Sequence, residues 1–109
     1  MRIYLAGPMR GYPEFNYPEF NRVAALLRKE GHFVFNPAET APHTDGKPWD
    51  YLSVDLAWIA AHAECLVMLP GWENSKGACV EYNLAAFLGL EVGYWRTDDT
   101  MNGRILYNS

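Results

Sequence analysis

In the run GACVEYNLAAFLGL, residues 77–90, the only charged side chain is Glu81. Helical spacing puts Gly77, Ala78 and Ala85 on its face, three or four residues away. Those neighbours are small, which leaves room for a ligand against the helix. A carboxylate with no polar face to join is either paired at the rim of a buried helix or a partly desolvated nucleophile or base. Asp55 raises the same question. It falls within the apolar stripe Leu52, Leu56 and Ile59, three residues after the first and four before the last. Either Asp55 lies at the edge of that stripe or it points with Glu81 toward a shared site. Glycosidic bond cleavage uses such a carboxylate pair, with a retaining outcome when the two are about 5 Å apart.

An anion site is legible next to the carboxylates. Ser75, Lys76 and Gly77 open the helix that carries Glu81, where free N–H groups and the helix dipole favour a phosphate. Ser75 also reads as a plain N-cap, and capping does not exclude anion binding. The run GPMRG, with Gly7, Met9, Arg10 and Gly11, can bring backbone N–H groups and one guanidinium to the same anion. It carries neither GxGxxG nor GxxxxGK[ST], so a dinucleotide fold or P-loop NTPase has little support. Tyr4, earlier in the same stretch, is either a core residue or a hydroxyl presented to Glu81. Trp72 lies in the loop before Ser75 and is placed to stack on a base. Trp49, Trp58 and Trp95 read as core or interface. The three histidines are scattered, without metal-ligand spacing, and only His43 lies in a loop near the expected site.

The elements that must position these residues follow from hydrophobic patterning. RIYLAG is a strand stopped by Gly-Pro, and MRGYPEFNY a loop punctuated by Gly and Pro. Asn16 or Tyr17 caps a helix with Pro18 in its first turn and Phe20, Val23, Ala24 and Leu27 as its buried stripe; Gly31 closes it. HFVFN is a second strand, and residues 36–48 form an irregular flap. A helix over 49–63 precedes CLVMLP, a fully apolar strand and so central in a parallel sheet. After the helix of Glu81, LEVGYW is a fourth strand, RTDDTMNG a polar loop and RILY a short edge strand. This alternation predicts an α/β fold: a Rossmann-like or flavodoxin-like open, mostly parallel sheet of four to five strands with helices on both faces. Ligands in such sheets bind beyond the strand carboxyl ends where strand order reverses, here among the loops after strands one and three.

At 109 residues the chain reads as a single domain, half hydrophobic and one-fifth charged. Nine Lys+Arg against thirteen Asp+Glu give a net charge of −4, with no basic cluster to suggest a polynucleotide partner. The longest apolar runs are too short for a membrane span or a signal peptide, so a cytoplasmic protein is expected. Cys65 and Cys79 lie in apolar runs and read as buried thiols. Neither a metal nor another cofactor is implied.

The runs IYLAGPMRG, AECLVMLP and SKGACVEYNLA, in this order and spacing, resemble the nucleoside 2-deoxyribosyltransferase superfamily over about residues 2–95. The resemblance implies that Glu81 is the nucleophile, that Asp55 protonates or orients the departing base, and that Tyr4 hydrogen-bonds the nucleophile. Transferases of free nucleosides usually carry an Asp six residues before the nucleophile, where this chain has Ser75. Ser75, with Met9-Arg10-Gly11 in place of an IRG-type loop, looks like the 2′-deoxynucleoside 5′-monophosphate N-hydrolase branch. That branch holds a 5′-phosphate, which an Asp would repel. The family expectation is a homodimer or higher homo-oligomer, with C-terminal residues completing a neighbour's site. Tyr107 and Asn108 match that tail only loosely. The expected activity is hydrolysis of the base–sugar bond of a (deoxy)nucleoside 5′-monophosphate. Its rivals are base exchange on the same nucleophile and a non-catalytic nucleotide-binding module.

Overall fold

The computed structural model describes residues 1–40 and 48–102. In chain order they form β1 (Arg2–Ala6), α1 (Tyr17–Lys29), β2 (Phe33–Phe35), α2 (Pro37–Thr40), α3 (Pro48–His62), β3 (Cys65–Met68), α4 (Lys76–Leu88), β4 (Glu91–Trp95) and β5 (Met101–Asn102). The sheet order is β2-β1-β3-β4-β5, parallel throughout except for β5, which runs antiparallel to β4. This is the α/β open sheet that the patterning predicts. No helix among the described residues is long and apolar enough to cross a membrane.

The two-residue alternation of β1 divides the core. Ile3 and Leu5 join Phe20, Val23, Ala24 and Leu27 of α1 on one face. Tyr4 and Ala6 join Ile59 of α3 and Ala78 and Ala85 of α4 on the other. Every residue of β3 is buried, as a central strand covered on both sides requires. Between β1 and β3 the strand order reverses. Their register pairs Tyr4 with Leu66 and Ala6 with Met68, so the two strands end side by side. The loops that follow them leave from one edge of the sheet.

Four local expectations need correction. Residues 37–40, read as part of an irregular flap, form α2 because Asn36 Oδ1 accepts the Ala38 N–H at 3.1 Å and starts a helical turn. Asn16 occupies the N-cap position of α1 without capping it. Its backbone is left-handed, and its amide instead donates to the Pro8 carbonyl at 2.9 Å. Helix α3 begins one residue early, at Pro48, where a missing N–H leaves no intrahelical bond unmade. The run read as a polar loop contains β5: Arg96 N–H donates to the Thr100 carbonyl at 2.8 Å, and the turn sets Met101 opposite Trp95 and over Gly93. Residues 41–47, with His43, and 103–109, with the expected RILY strand, Tyr107 and Asn108, lie outside the described residues.

Candidate active site

Glu81 and Asp55 come from the two helices packed on one face of the sheet, and Tyr4 from the strand beneath them. All three line one cavity of about 1060 Å³ beyond the carboxyl ends of β1 and β3. The Tyr4 side chain is fully buried, and its hydroxyl donates a short hydrogen bond to Glu81 Oε2. Asp55 lies near enough for the same hydroxyl to favour its charged form, but the hydrogen bond itself goes to Glu81. Both alternatives raised for Tyr4 hold: it is a core residue and a partner of Glu81. Its ring is fixed from behind by Phe35, stacked at 5.4 Å, and by Trp58 at 6.4 Å.

Glu81 lies on the buried face of α4 with Ala78 and Ala85 and is only 6% exposed; Asp55 is 7% exposed. Desolvation pushes Glu81 up to about 8; the Tyr4 hydrogen bond pulls it down and the nearby Asp55 raises it further. Desolvation likewise lifts Asp55 to about 6, against the pull of Tyr4. Burial, followed by the charge of Glu81, drives the Tyr4 phenol well above its ordinary value, so it stays a hydrogen-bond donor. With Asp55 at about 6 and Glu81 at about 8, the two neighbouring carboxyls together hold one proton across neutral pH.

This burial has a measurable consequence for stability. Between the ordinary glutamate value of 4.5 and the folded value of about 8, the native protein keeps a proton that the unfolded chain releases. The stabilising contribution is complete below about 4.5 and is lost as pH rises through about 8. Glu81→Gln removes this titration. The Tm of the variant, relative to the native protein, is expected to climb from pH 5 to pH 9, reflecting a few kcal/mol at about 1.4 kcal/mol per pH unit. Thermal melts across that range test it; a difference that does not change with pH refutes a desolvated Glu81.

The anion end lies at the start of α4. Ser75 is the N-cap, and its Oγ accepts the Ala78 N–H at 3.2 Å. The first-turn N–H groups of Lys76 and Gly77 have no intrahelical acceptor. Ser75, Lys76, Gly77, Met9 and Arg10 all line the cavity. A Cβ built on Gly77 meets nothing within 4 Å, so this glycine keeps open space beside the helix end. Gly7 is demanded by packing: a Cβ there would lie 2.8 Å from the Leu69 Cβ. Gly11, at φ +82, lets the loop reverse and does not line the cavity.

Three expectations at the site change, the first being Gly11, which was expected at the anion and stands outside the cavity wall. Trp72 does not face the cavity. Its ring stacks on Tyr82 at 4.9 Å and lies 6.1 Å from Tyr94, on the opposite side of α4, so it is not placed to hold a base. Cys65 is buried, its thiol pushed up to about 12 by desolvation, whereas Cys79 is only half-buried. The sequence reading also missed wall residues. Tyr12 and Phe15 face the cavity from the loop after β1, Tyr17 from the start of α1 and Thr40 from α2. Three aromatics between Gly11 and Pro18, in a loop already assigned to the site, were the signal that could have found them.

A family model described as "Domain of unknown function (DUF4406)" matches residues 1–94, and the chain belongs to that family. The match includes Tyr4, Asp55, Ser75 and Glu81. No curated protein matches the chain.

Proposed function

We propose that this member of the DUF4406 family is an N-glycosidase that hydrolyses the base–sugar bond of a (deoxy)nucleoside 5′-monophosphate. The observation that carries the reading is the buried Glu81, held by Tyr4 and accompanied by Asp55, in one cavity with the anion-favouring start of α4. The pair's single proton rests on Glu81 in the free protein and moves to Asp55 in the reactive form. The ionised Glu81 then attacks the anomeric carbon through an oxocarbenium-like transition state. The electron pair of the breaking C–N bond goes to the base, which takes a proton from Asp55. The product is a sugar–Glu81 ester. Water then gives a proton to the Asp55 carboxylate and attacks the same carbon, releasing the sugar 5-phosphate and regenerating Glu81.

Tyr4 steadies the ionised Glu81 by donating to it. Ser75, the N–H groups at the start of α4 and Arg10 hold the phosphate. The resemblance to the nucleoside 2-deoxyribosyltransferase superfamily belongs to this reading. So do a cytoplasmic location and a homodimer, to which the exposed Val54, Val80, Phe87 and Leu88 on α3 and α4 lend support.

Because one proton serves the pair, kcat/KM is expected to be bell-shaped, with an acid limb near pH 6 and an alkaline limb near pH 8. A profile that rises without an alkaline limb would remove Asp55 and Glu81 from their paired roles. Acid quenching during turnover and mass spectrometry of the Glu81 peptide test the covalent step, with a sugar-phosphate adduct expected and an unmodified peptide contradicting it. Base exchange shares every residue named here. An added acceptor base separates the two: incorporation of that base into a new nucleotide identifies a transferase.

A further inference from the structure

We propose that Phe15 forms the stacking platform for the nucleobase, and that the strained backbone of residues 14–16 is kept because it aims this ring into the cavity. The inference rests on the nucleotide reading above and extends it to a residue and a mode of recognition that the catalytic argument leaves unassigned.

Three successive non-glycine residues adopt the left-handed region: Glu14 at φ 52, Phe15 at φ 54 and Asn16 at φ 62. L-residues resist that conformation, bulky ones most, and it persists where surrounding contacts impose it. Those contacts are present on both sides. Phe15 N–H donates to the Tyr12 carbonyl at 3.0 Å, Tyr12 N–H to the Met9 carbonyl at 3.2 Å, and the Asn16 amide to the Pro8 carbonyl at 2.9 Å. Asn16 makes this tie with the side chain that would otherwise cap α1.

Core burial does not account for the strain. Phe15 is 58% exposed and joins neither apolar cluster of the fold. What it faces is the cavity that also holds Glu81, Asp55 and Ser75. Tyr17 lies 5.8 Å away with its ring tilted by 40°, and supports Phe15 from the side. An exposed ring held over a polar catalytic cavity offers a π-face, which every base can use, rather than a hydrogen-bonding edge that selects one. Recognition at this end is thus by stacking, and tolerant of base identity.

The test compares native protein with Phe15→Leu, Phe15→Gly and Phe15→Trp. Calorimetry or inhibition measures affinity for dAMP, dGMP, dCMP and dTMP, with 2-deoxyribose 5-phosphate as the base-free ligand. Loss of the ring is expected to weaken the nucleotides by about tenfold or more, to leave 2-deoxyribose 5-phosphate unchanged, and to be rescued by Trp. Phe15→Gly is also expected to melt no lower than the native protein, since glycine suits a positive φ. Unchanged nucleotide affinity in the Leu and Gly variants would overturn the proposal. So would an equal loss for nucleotides and for the base-free sugar phosphate. If the native protein binds nucleotides through Phe15 but releases no base, hydrolysis fails and the stacking assignment stands; if it binds no nucleotide, both fail.

Discussion

Glu81→Gln is expected to lower base release by on the order of a thousandfold or more, while the protein stays folded. The amide fills the same volume and still accepts the Tyr4 hydrogen bond, but it cannot form the sugar–enzyme ester. A thousandfold loss corresponds to about 4 kcal/mol of transition-state stabilisation, the scale on which a covalent nucleophile acts. Glu81 is buried on α4, and its replacement by the isosteric amide relieves the neighbouring Asp55 of a like charge. Substrate affinity should change much less than turnover. Single-turnover base release alongside equilibrium binding separates the two. A variant that binds nucleotide as before and releases base at the native rate would eliminate Glu81 as nucleophile.

Ser75→Asp is expected to raise the KM for a nucleoside monophosphate by about a hundredfold and to leave a free nucleoside unaffected or improved. Asp caps a helix as well as Ser does, so the Ala78 N–H keeps its acceptor and α4 keeps its start. What changes is charge: a carboxylate would stand beside the proposed phosphate position, and like charges a few ångströms apart in a partly enclosed cavity repel by several kcal/mol before solvent screening. Arg10, exposed at the rim, cannot neutralise both. The kcat/KM ratio between nucleotide and nucleoside, measured in both proteins, reads the effect directly. An unchanged ratio would place the phosphate elsewhere.

The buried carboxyl pair is legible in the sequence because its placement depends on periodicities that a sequence displays. Helical spacing puts Glu81 among small residues and Asp55 within an apolar stripe, and the α/β order puts both above the reversal between β1 and β3. Ser75 is legible as an N-cap because a serine just ahead of an apolar helical run is placed to accept a first-turn N–H.

The departures have equally physical origins. Trp72 is close to Ser75 along the chain, but the face of α4 that receives it is decided by Tyr82 and Tyr94, the latter a strand away in β4. Strand β5 exists through pairing with Trp95 and through the turn at Asp99, whose carboxylate also takes the Trp95 indole N–H and the Arg22 guanidinium. Such pairing is tertiary and invisible in the composition of a polar run. The aromatic wall was hidden for a different reason. Left-handed backbone is ordinarily signalled by glycine, whereas here Glu14, Phe15 and Asn16 adopt it under the tie from Asn16 to Pro8.

The central claim is that this cavity cleaves the base from a nucleoside 5′-monophosphate. Incubating the protein with matched panels of 2′-deoxynucleoside and ribonucleoside 5′-monophosphates and the corresponding free nucleosides, and quantifying released bases by chromatography, tests it most directly. The account predicts base release from one or more monophosphates, weaker or absent release from the matching nucleosides, and loss of activity in Glu81→Gln. Release from free nucleosides but not from monophosphates would contradict the phosphate site at Ser75 and Arg10, and no release from any member of the panel would contradict the glycosidase itself.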